Sequence, residues 1–467
     1  MKRFLFPFIL LLISATSLAQ SGQPLRLELP ATQYSDELKR VLCDSDGVCI
    51  LYPSYKPDSI TCHFAQYNTQ LESIFDFKFT LTDEYDFSTA AYKNGTVGIL
   101  YQQKNKKKFG TKGFLVRYDC RTHQWTKTAV HQLPPREIQR FALTSKGCVF
   151  VSETDKRQSN LFTINFNDTV VQALTLPNAP NYIVNDYLED TAQGHLIVML
   201  NTKPHTSDNV LWLCECDLDG NAQYVIDLPD TGTVRFDNAH IAPLDSARIL
   251  ILGLYVSRTS NEQGSYSLIY GNRHFSTPRL FPAQSAQLTT SLNNEVSTLQ
   301  GPIFYHNGQY AFVQETFYPE YQHTTTYEFG VPTTEPTFIG YRFLNANVAL
   351  YDTSGLQLWN YQFPFDNLLV TNLTAHLRVN FGNENILFYY LIGQQLCTML
   401  TNKELQIIDP IRNTTLFANE NRSGQMIYTT SLLPWYGPYF MLTGYRFNAK
   451  KGKGSTPVYF MHKLEYR

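Results

Sequence analysis

The sequence predicts an all-β fold, a β-propeller of eight four-stranded blades closed by an N-terminal strand, with seven blades as the alternative. Three observations lead there. Eight continuous apolar runs recur at intervals of about 50 residues, near the period of propeller repeats. Nearly every run follows a turn signal of the hairpin kind. The last unit is one strand short, and the N-terminal segment carries a strand that could complete it.

The stretch from Gln300 to Pro364 shows one whole unit. Pro302-Ile303-Phe304-Tyr305 turns at His306-Asn307-Gly308 and returns as Tyr310 to Gln314. After a Tyr-rich excursion, Asn347 to Tyr351 leads through Asp352-Thr353-Ser354-Gly355 into Leu356 to Phe363. Asn-Gly and Asp-x-x-Gly turns between β-rich runs mark two hairpins, hence four antiparallel strands.

In chain order, Lys2-Arg3, the apolar stretch Phe4 to Ile13 and Ser17-Leu18-Ala19 have the plan of a signal peptide. We expect residues 1–19 to be removed after Ala19 and residues 20–467 to form a single propeller domain, exported to the periplasm or beyond. The apolar stretch is too short to span a membrane, and no later run of about 20 apolar residues follows. Leu25-Arg26-Leu27-Glu28-Leu29-Pro30 is the spare strand. The second strand of each blade is covered on both faces, so it should be apolar throughout and not alternating. Eight runs fit: Val48–Tyr52, Val97–Tyr101, Cys148–Val151, Leu196–Leu200, Ile249–Tyr255, Tyr310–Val313, Ile386–Ile392 and Tyr439–Leu442. The fourth strand tends to stop at a proline, at Pro134, Pro177, Pro229, Pro282, Pro364 and Pro410, where a missing N–H ends the ladder. The eighth unit supplies Gln425–Leu432, Tyr439–Arg446 and Val458–Tyr466 and then runs out, so the N-terminal strand is expected to be its fourth.

Composition suits a packed β core. Hydrophobic residues are 43% of the chain, with 31 Phe and 30 Tyr, and aromatic side chains favour strands. A formal charge of −2, falling to −4 once Lys2 and Arg3 are removed, argues against a nucleic-acid partner. Eight cysteines in an exported chain permit disulfides. Cys43 and Cys49 flank the Asp44-Ser45-Asp46-Gly47 turn and are the disulfide candidate. Cys214 and Cys216 share a strand face that a metal or redox couple could use. Cys62, Cys120, Cys148 and Cys397 are expected to be buried as small hydrophobes.

Catalytic signatures are missing: G-x-S-x-G, H-E-x-x-H, C-x-x-C, the P-loop and G-x-G-x-x-G do not occur. Asp44-Ser45-Asp46-Gly47 and Asp217-Leu218-Asp219-Gly220-Asn221 have the oxygen spacing of half a calcium loop, but both lack the distal Glu. We therefore expect no metal and no cofactor, and the catalytic residues are not identified. His240 and His376, with Asp86, Arg140, Asp186 and Arg378, fall on first strands and are candidates to line a central channel.

Tyr351-Asp352-Thr353-Ser354-Gly355-Leu356-Gln357-Leu358-Trp359 is similar to the strand-turn-strand element of quinoprotein-like propeller repeats, with the Asp–Gly spacing one residue shorter. That resemblance covers one hairpin and implies a blade, without a cofactor site. The chain as a whole resembles exported bacterial β-propeller-like proteins, which implies the fold and no activity.

Connections between second and third strands are long and polar, and loops on a rigid scaffold are where binding residues concentrate. They carry Lys450, Lys451 and Lys453 in unit eight, Lys56 in unit one, and Lys104, Lys106, Lys107, Lys108 and Lys112 in unit two. Unit six adds Phe317, Tyr318, Tyr321, Tyr327 and Phe329. The expected role is an exported, non-catalytic binding or scaffolding propeller recognising an anionic glycan or an envelope protein. The alternative is an enzyme that hydrolyses or eliminates an extracellular polymer on the same loop face.

Overall fold

In a computed structural model of the chain, the described residues are 25–30, 38–105, 108–153, 158–176, 182–201, 210–229, 231–260, 262–283, 296–328, 331–417, 425–448 and 457–465. Residues 1–19, expected from sequence to be a signal peptide, lie outside them. Strands form eight antiparallel sheets, a propeller-like fold with eight blades. Asp36–Leu416 is one compact unit and holds the first seven blades. The eighth belongs to a second unit built from Met1–Ser35 and Phe417–Arg467.

Blades one to four, six and seven are four-strand meanders. The second strands, Val48–Lys56, Thr96–Asn105, Gly147–Glu153, His195–Asn201, Arg248–Ser257, Gln309–Glu328, Asn385–Ile392 and Tyr439–Asn448, contain the eight apolar runs in order. In the eighth blade, Arg26–Pro30 pairs antiparallel with Val458–Glu465, from Arg26 opposite His462 to Pro30 opposite Val458. The N-terminal strand therefore completes that sheet as its fourth member. Blade five departs in detail, because its outer position is shared by two short strands, His274–Phe275 and Arg279–Pro282, both on Gln263–Gly271.

The core of the larger unit lies between blades. Along Gly147–Glu153, Cys148 and Phe150 pack towards blade two, whereas Val149 and Val151 pack towards blade four. Along Arg248–Ser257, Ile249 and Ile251 face blade four while Leu250 and Leu252 face blade six. Successive side chains of a strand point to opposite faces. A strand sandwiched between two blades must therefore be apolar at every position, which explains the unbroken runs.

First strands carry a feature that periodicity does not reveal. In blades two to six and eight their register against the second strand slips, for example between Val184 and Asp186 and between Asp237 and Ala239. Such bulges re-aim side chains and sharpen twist. Arg140 and Asn238 sit at them with φ of 46°, in the left-handed region.

Pro177 lies outside the described residues, and two of the other proline stops differ from expectation. Pro364 lies inside Gln357–Val370, and Pro410 lies inside Ile407–Thr415. Both strands are sheet edges and both prolines fall near register slips, so the missing N–H leaves little of the ladder unmade.

Candidate functional site

Blade six departs most from the repeat. Its second and third strands, Gln309–Glu328 and Val331–Tyr351, run 20 and 21 residues, against 7 to 10 for the second strands of the other blades. The Tyr-rich excursion is thus a β-ribbon. The fourth strand, Gln357–Val370, accompanies it only as far as Tyr341 opposite Val370. Beyond that point the ribbon continues on two strands alone, with Tyr321 opposite Phe338 and Glu328 opposite Val331.

At the root of this overhang Phe317 and Tyr318 are buried, so they are packing residues and not part of an exposed surface. Tyr321 and Phe338 are 51% and 42% exposed, with ring centroids 5.7 Å apart, and Phe338 packs 5.1 Å from Tyr341. The Arg342 guanidinium grips the Glu320 carboxylate beside them and holds it below the usual carboxylate range. Tyr327 falls on the ribbon, and Phe329 lies outside the described residues. Phe338 escaped the sequence reading; its place opposite Tyr321 becomes visible only once the ribbon register is known.

The lysines of blade two are dispersed in role. Lys104 pairs with Asp86 at 3.3 Å and approaches the Phe109 ring at 5.7 Å. Lys112 and Lys56 are exposed. Lys108 begins the third strand of the blade. Lys106, Lys107, Lys450, Lys451 and Lys453 lie outside the described residues.

First strands of adjacent blades are clamped by polar groups. The Arg140 guanidinium donates to the carbonyl oxygens of Val184 and Asn185. Asp186 accepts the Ile241 N–H at 3.1 Å and holds His240 Nδ1 at 3.1 Å. Glu315 accepts the N–H groups of His376 at 2.7 Å and Leu377 at 2.6 Å. Arg140, Asp186 and His240 thus join neighbouring blades, whereas Asp86 pairs with Lys104. Glu315 was not singled out from sequence, although a charged residue two positions after the apolar Tyr310–Val313 run, on the same second strand, is the signal that marks it.

On the opposite side, the side of the short turns, a cleft of about 610 Å³ opens between blades four and five. Its charged groups are held in pairs. Tyr270 donates to Glu215 at 2.8 Å, and Arg273 reaches the same carboxylate at 3.3 Å. The Ala247 N–H and the Arg248 guanidinium, which reaches Asp245 at 2.7 Å, hold that carboxyl low. Glu189 takes the Lys93 ammonium and the Ser145 N–H. A cleft so arranged offers charge and hydrogen bonds to a polar ligand.

The two Asp-rich turns are used internally. Asp46 accepts Tyr92 at 2.8 Å, and Asp217 Oδ1 accepts the Asp219 and Asn221 N–H groups. Cys214 and Cys216 are buried on one face of Leu211–Asp217 within the core between blades three and four. Cys43 and Cys49 face each other with Sγ atoms 3.6 Å apart.

No protein-family model matches the chain, and no curated protein matches it. Among solved structures, the polysaccharide lyase Uly1 is similar at a TM-score of 0.39 and 8% identity, over 81% of this chain and 89% of that one. Sqt1 of Saccharomyces cerevisiae is similar at a TM-score of 0.43 and 9% identity, over 94% and 98%. The periplasmic gluconolactonase PpgL of Pseudomonas aeruginosa is similar at 0.36 and 9%, over 78% and 95%. Likenesses this distant assign no activity to the chain.

Proposed function

We propose that the protein is an exported binding propeller of the cell envelope, and that the ribbon of blade six is its recognition arm for a glycan. The overhanging ribbon with its exposed Tyr321 and Phe338 carries this reading. A two-stranded hairpin without a third strand is marginal in water. One that keeps a large aromatic pair in solvent gains most if a ligand covers it. Aromatic rings are rigid apolar platforms on which sugar rings stack, and they cost little rotamer entropy on binding. Lys104 and Lys112, on the corresponding connection of blade two, suit a glycan with anionic substituents.

The test uses the mature chain and a variant with Tyr321→Ser and Phe338→Ser, on an array of anionic and neutral envelope glycans. The wild type should bind an anionic member, and the variant should lose binding by about tenfold or more, the equivalent of 1.4 kcal/mol, at an unchanged Tm. Equal binding by both would reject the ribbon as the arm. Chain cleavage of a bound glycan by the wild type would replace the binding reading with an enzymatic one. Binding to an envelope protein and to no glycan would move the ligand class to protein.

A further inference from the structure

The sequence reads Cys120 as a buried small hydrophobe, and it is buried. Folding brings it together with Cys43 and Cys49. Their sulfur atoms lie within 4.8 Å of one another, and all three side chains are buried. Cys43 and Cys49 flank a short 3-10 turn, Asp44–Asp46, in blade one, and Cys120 follows the third strand of blade two.

The groups around the sulfurs are organised as well. Gln66 is 1% exposed, and its amide donates to the carbonyl oxygens of Asp46 at 2.9 Å and Cys120 at 3.2 Å. One side chain therefore ties together the two turns that carry the cysteines. Its own carbonyl accepts the Tyr118 hydroxyl, which also meets His123 Nδ1 at 2.9 Å. Outer groups that fix the backbone of ligating residues are the usual support of a metal site.

We infer that Cys43, Cys49 and Cys120 form a three-sulfur site for a thiophilic d10 cation, Cu(I) in preference to Zn(II). Thiolates select soft ions of this kind. Structural zinc is almost always four-coordinate, and among the described residues no His, Cys, Asp or Glu joins the three sulfurs as a fourth ligand. Three sulfurs suffice for Cu(I). Binding converts thiols to coordinated thiolates and releases their protons to solvent. The bound ion would fasten blade one to blade two from inside the core.

The experiment titrates the reduced, full mature chain under anaerobic conditions with Cu(I) against a competing chelator, and separately with Zn(II). The comparison includes Cys120→Ser, Gln66→Met and, as a control, Cys148→Ser, whose thiol is buried between blades two and three. One Cu(I) per chain is expected, with the Zn(II) arm weaker. Cys148→Ser should match the wild type, Gln66→Met should lose about 10- to 100-fold in affinity, and Cys120→Ser should lose tight binding. X-ray absorption on the wild type covers the case in which a variant does not fold, and three sulfur neighbours around copper are expected. Two sulfur neighbours, equal uptake by the wild type and Cys120→Ser, or tighter binding of Zn(II) would overturn the inference. So would protein from the export compartment that carries a Cys43–Cys49 disulfide and takes up no Cu(I) after reduction.

Discussion

Glu315 and His376 sit one hydrogen bond apart yet bias stability in opposite directions with pH. Glu315 is fully buried, and burial raises its carboxyl from the ordinary 4.5 to about 7 despite the two N–H groups it accepts. Between those values the folded protein keeps a proton that the unfolded chain has released, so stability falls as pH rises, by about 3 kcal/mol across the window. Burial, with Arg378 adding to it, lowers His376 from 6.5 to about 4. Between about 4 and 6.5 the unfolded chain holds the proton that the folded ring lacks, so stability rises with pH. The two slopes largely offset each other in the wild type. Glu315→Gln, which can still accept both N–H groups, should show a profile that climbs from pH 4 to 6.5. His376→Asn should show one that falls from 4.5 to 7. Urea denaturation of the three proteins across this range checks both, and parallel profiles would remove the assignment.

At the scale of elements, the bulges explain residues that the strand pattern leaves odd. Gly253 interrupts the apolar run of blade five, and a Cβ there would lie 2.3 Å from the Asn238 carbonyl oxygen and 2.7 Å from Tyr266. Gly444 plays the same part in blade eight, where a Cβ would meet the Tyr428 carbonyl oxygen at 2.2 Å. In both, the first-strand backbone crowds the second strand where the register slips. Gly253→Ala should therefore cost about 2 kcal/mol or more through overpacking, read as a lower urea midpoint at an unchanged slope. A neutral outcome would mean that the bulge relaxes freely. The N-terminal strand permits a second test. Leu25 accepts the Lys463 N–H at 2.9 Å, Arg26 stacks on Phe460 at 4.6 Å, and Glu28 pairs with Arg446. Deletion of residues 21–30 should lower Tm and cost on the order of 2 kcal/mol, since it bares the edge of Val458–Glu465 and its apolar neighbours. An unchanged Tm would show that the strand adds nothing.

At the scale of the whole molecule, what could be read from sequence follows the range of the interaction. Second strands were legible because burial on both faces writes itself into consecutive residues, as in Leu196–Leu200. The missing fourth strand of the last blade was legible by counting. The Cys43–Cys49–Cys120 cluster, the Glu315 clamp and the cleft at Glu215 were not, because each is assembled from different blades and no local period records which turns meet. Pro364 misled because a proline marks a strand end only where the ladder needs its N–H, and an outer edge does not.

Charge belongs to the same scale. The chain is weakly acidic as a whole, with a formal charge of −2, so its retention on a polyanion must come from a local excess of lysine. Lys104 is already paired with Asp86 at 3.3 Å, with both side chains about 40% exposed. Its removal alone takes away one of the four charges and leaves Asp86 uncompensated, so it should shorten retention by only part of the fourfold effect. Replacement of Lys104, Lys106, Lys107 and Lys108 together by Ser should shorten retention on an anionic polysaccharide at low salt. The difference should vanish at high salt, because exposed charges are screened beyond about 10 Å at 0.1 M and about 3 Å at 1 M. Chromatography of wild type, Lys104→Ser and the fourfold variant at both ionic strengths decides the matter. If all three elute together at low salt, the lysines are solvated loop residues and any recognition of the glycan must rest on other groups, such as the aromatic pair of blade six. If Lys104→Ser alone accounts for the whole loss, the pairing with Asp86 does not hold that lysine in solution, and Asp86→Asn should then lengthen retention.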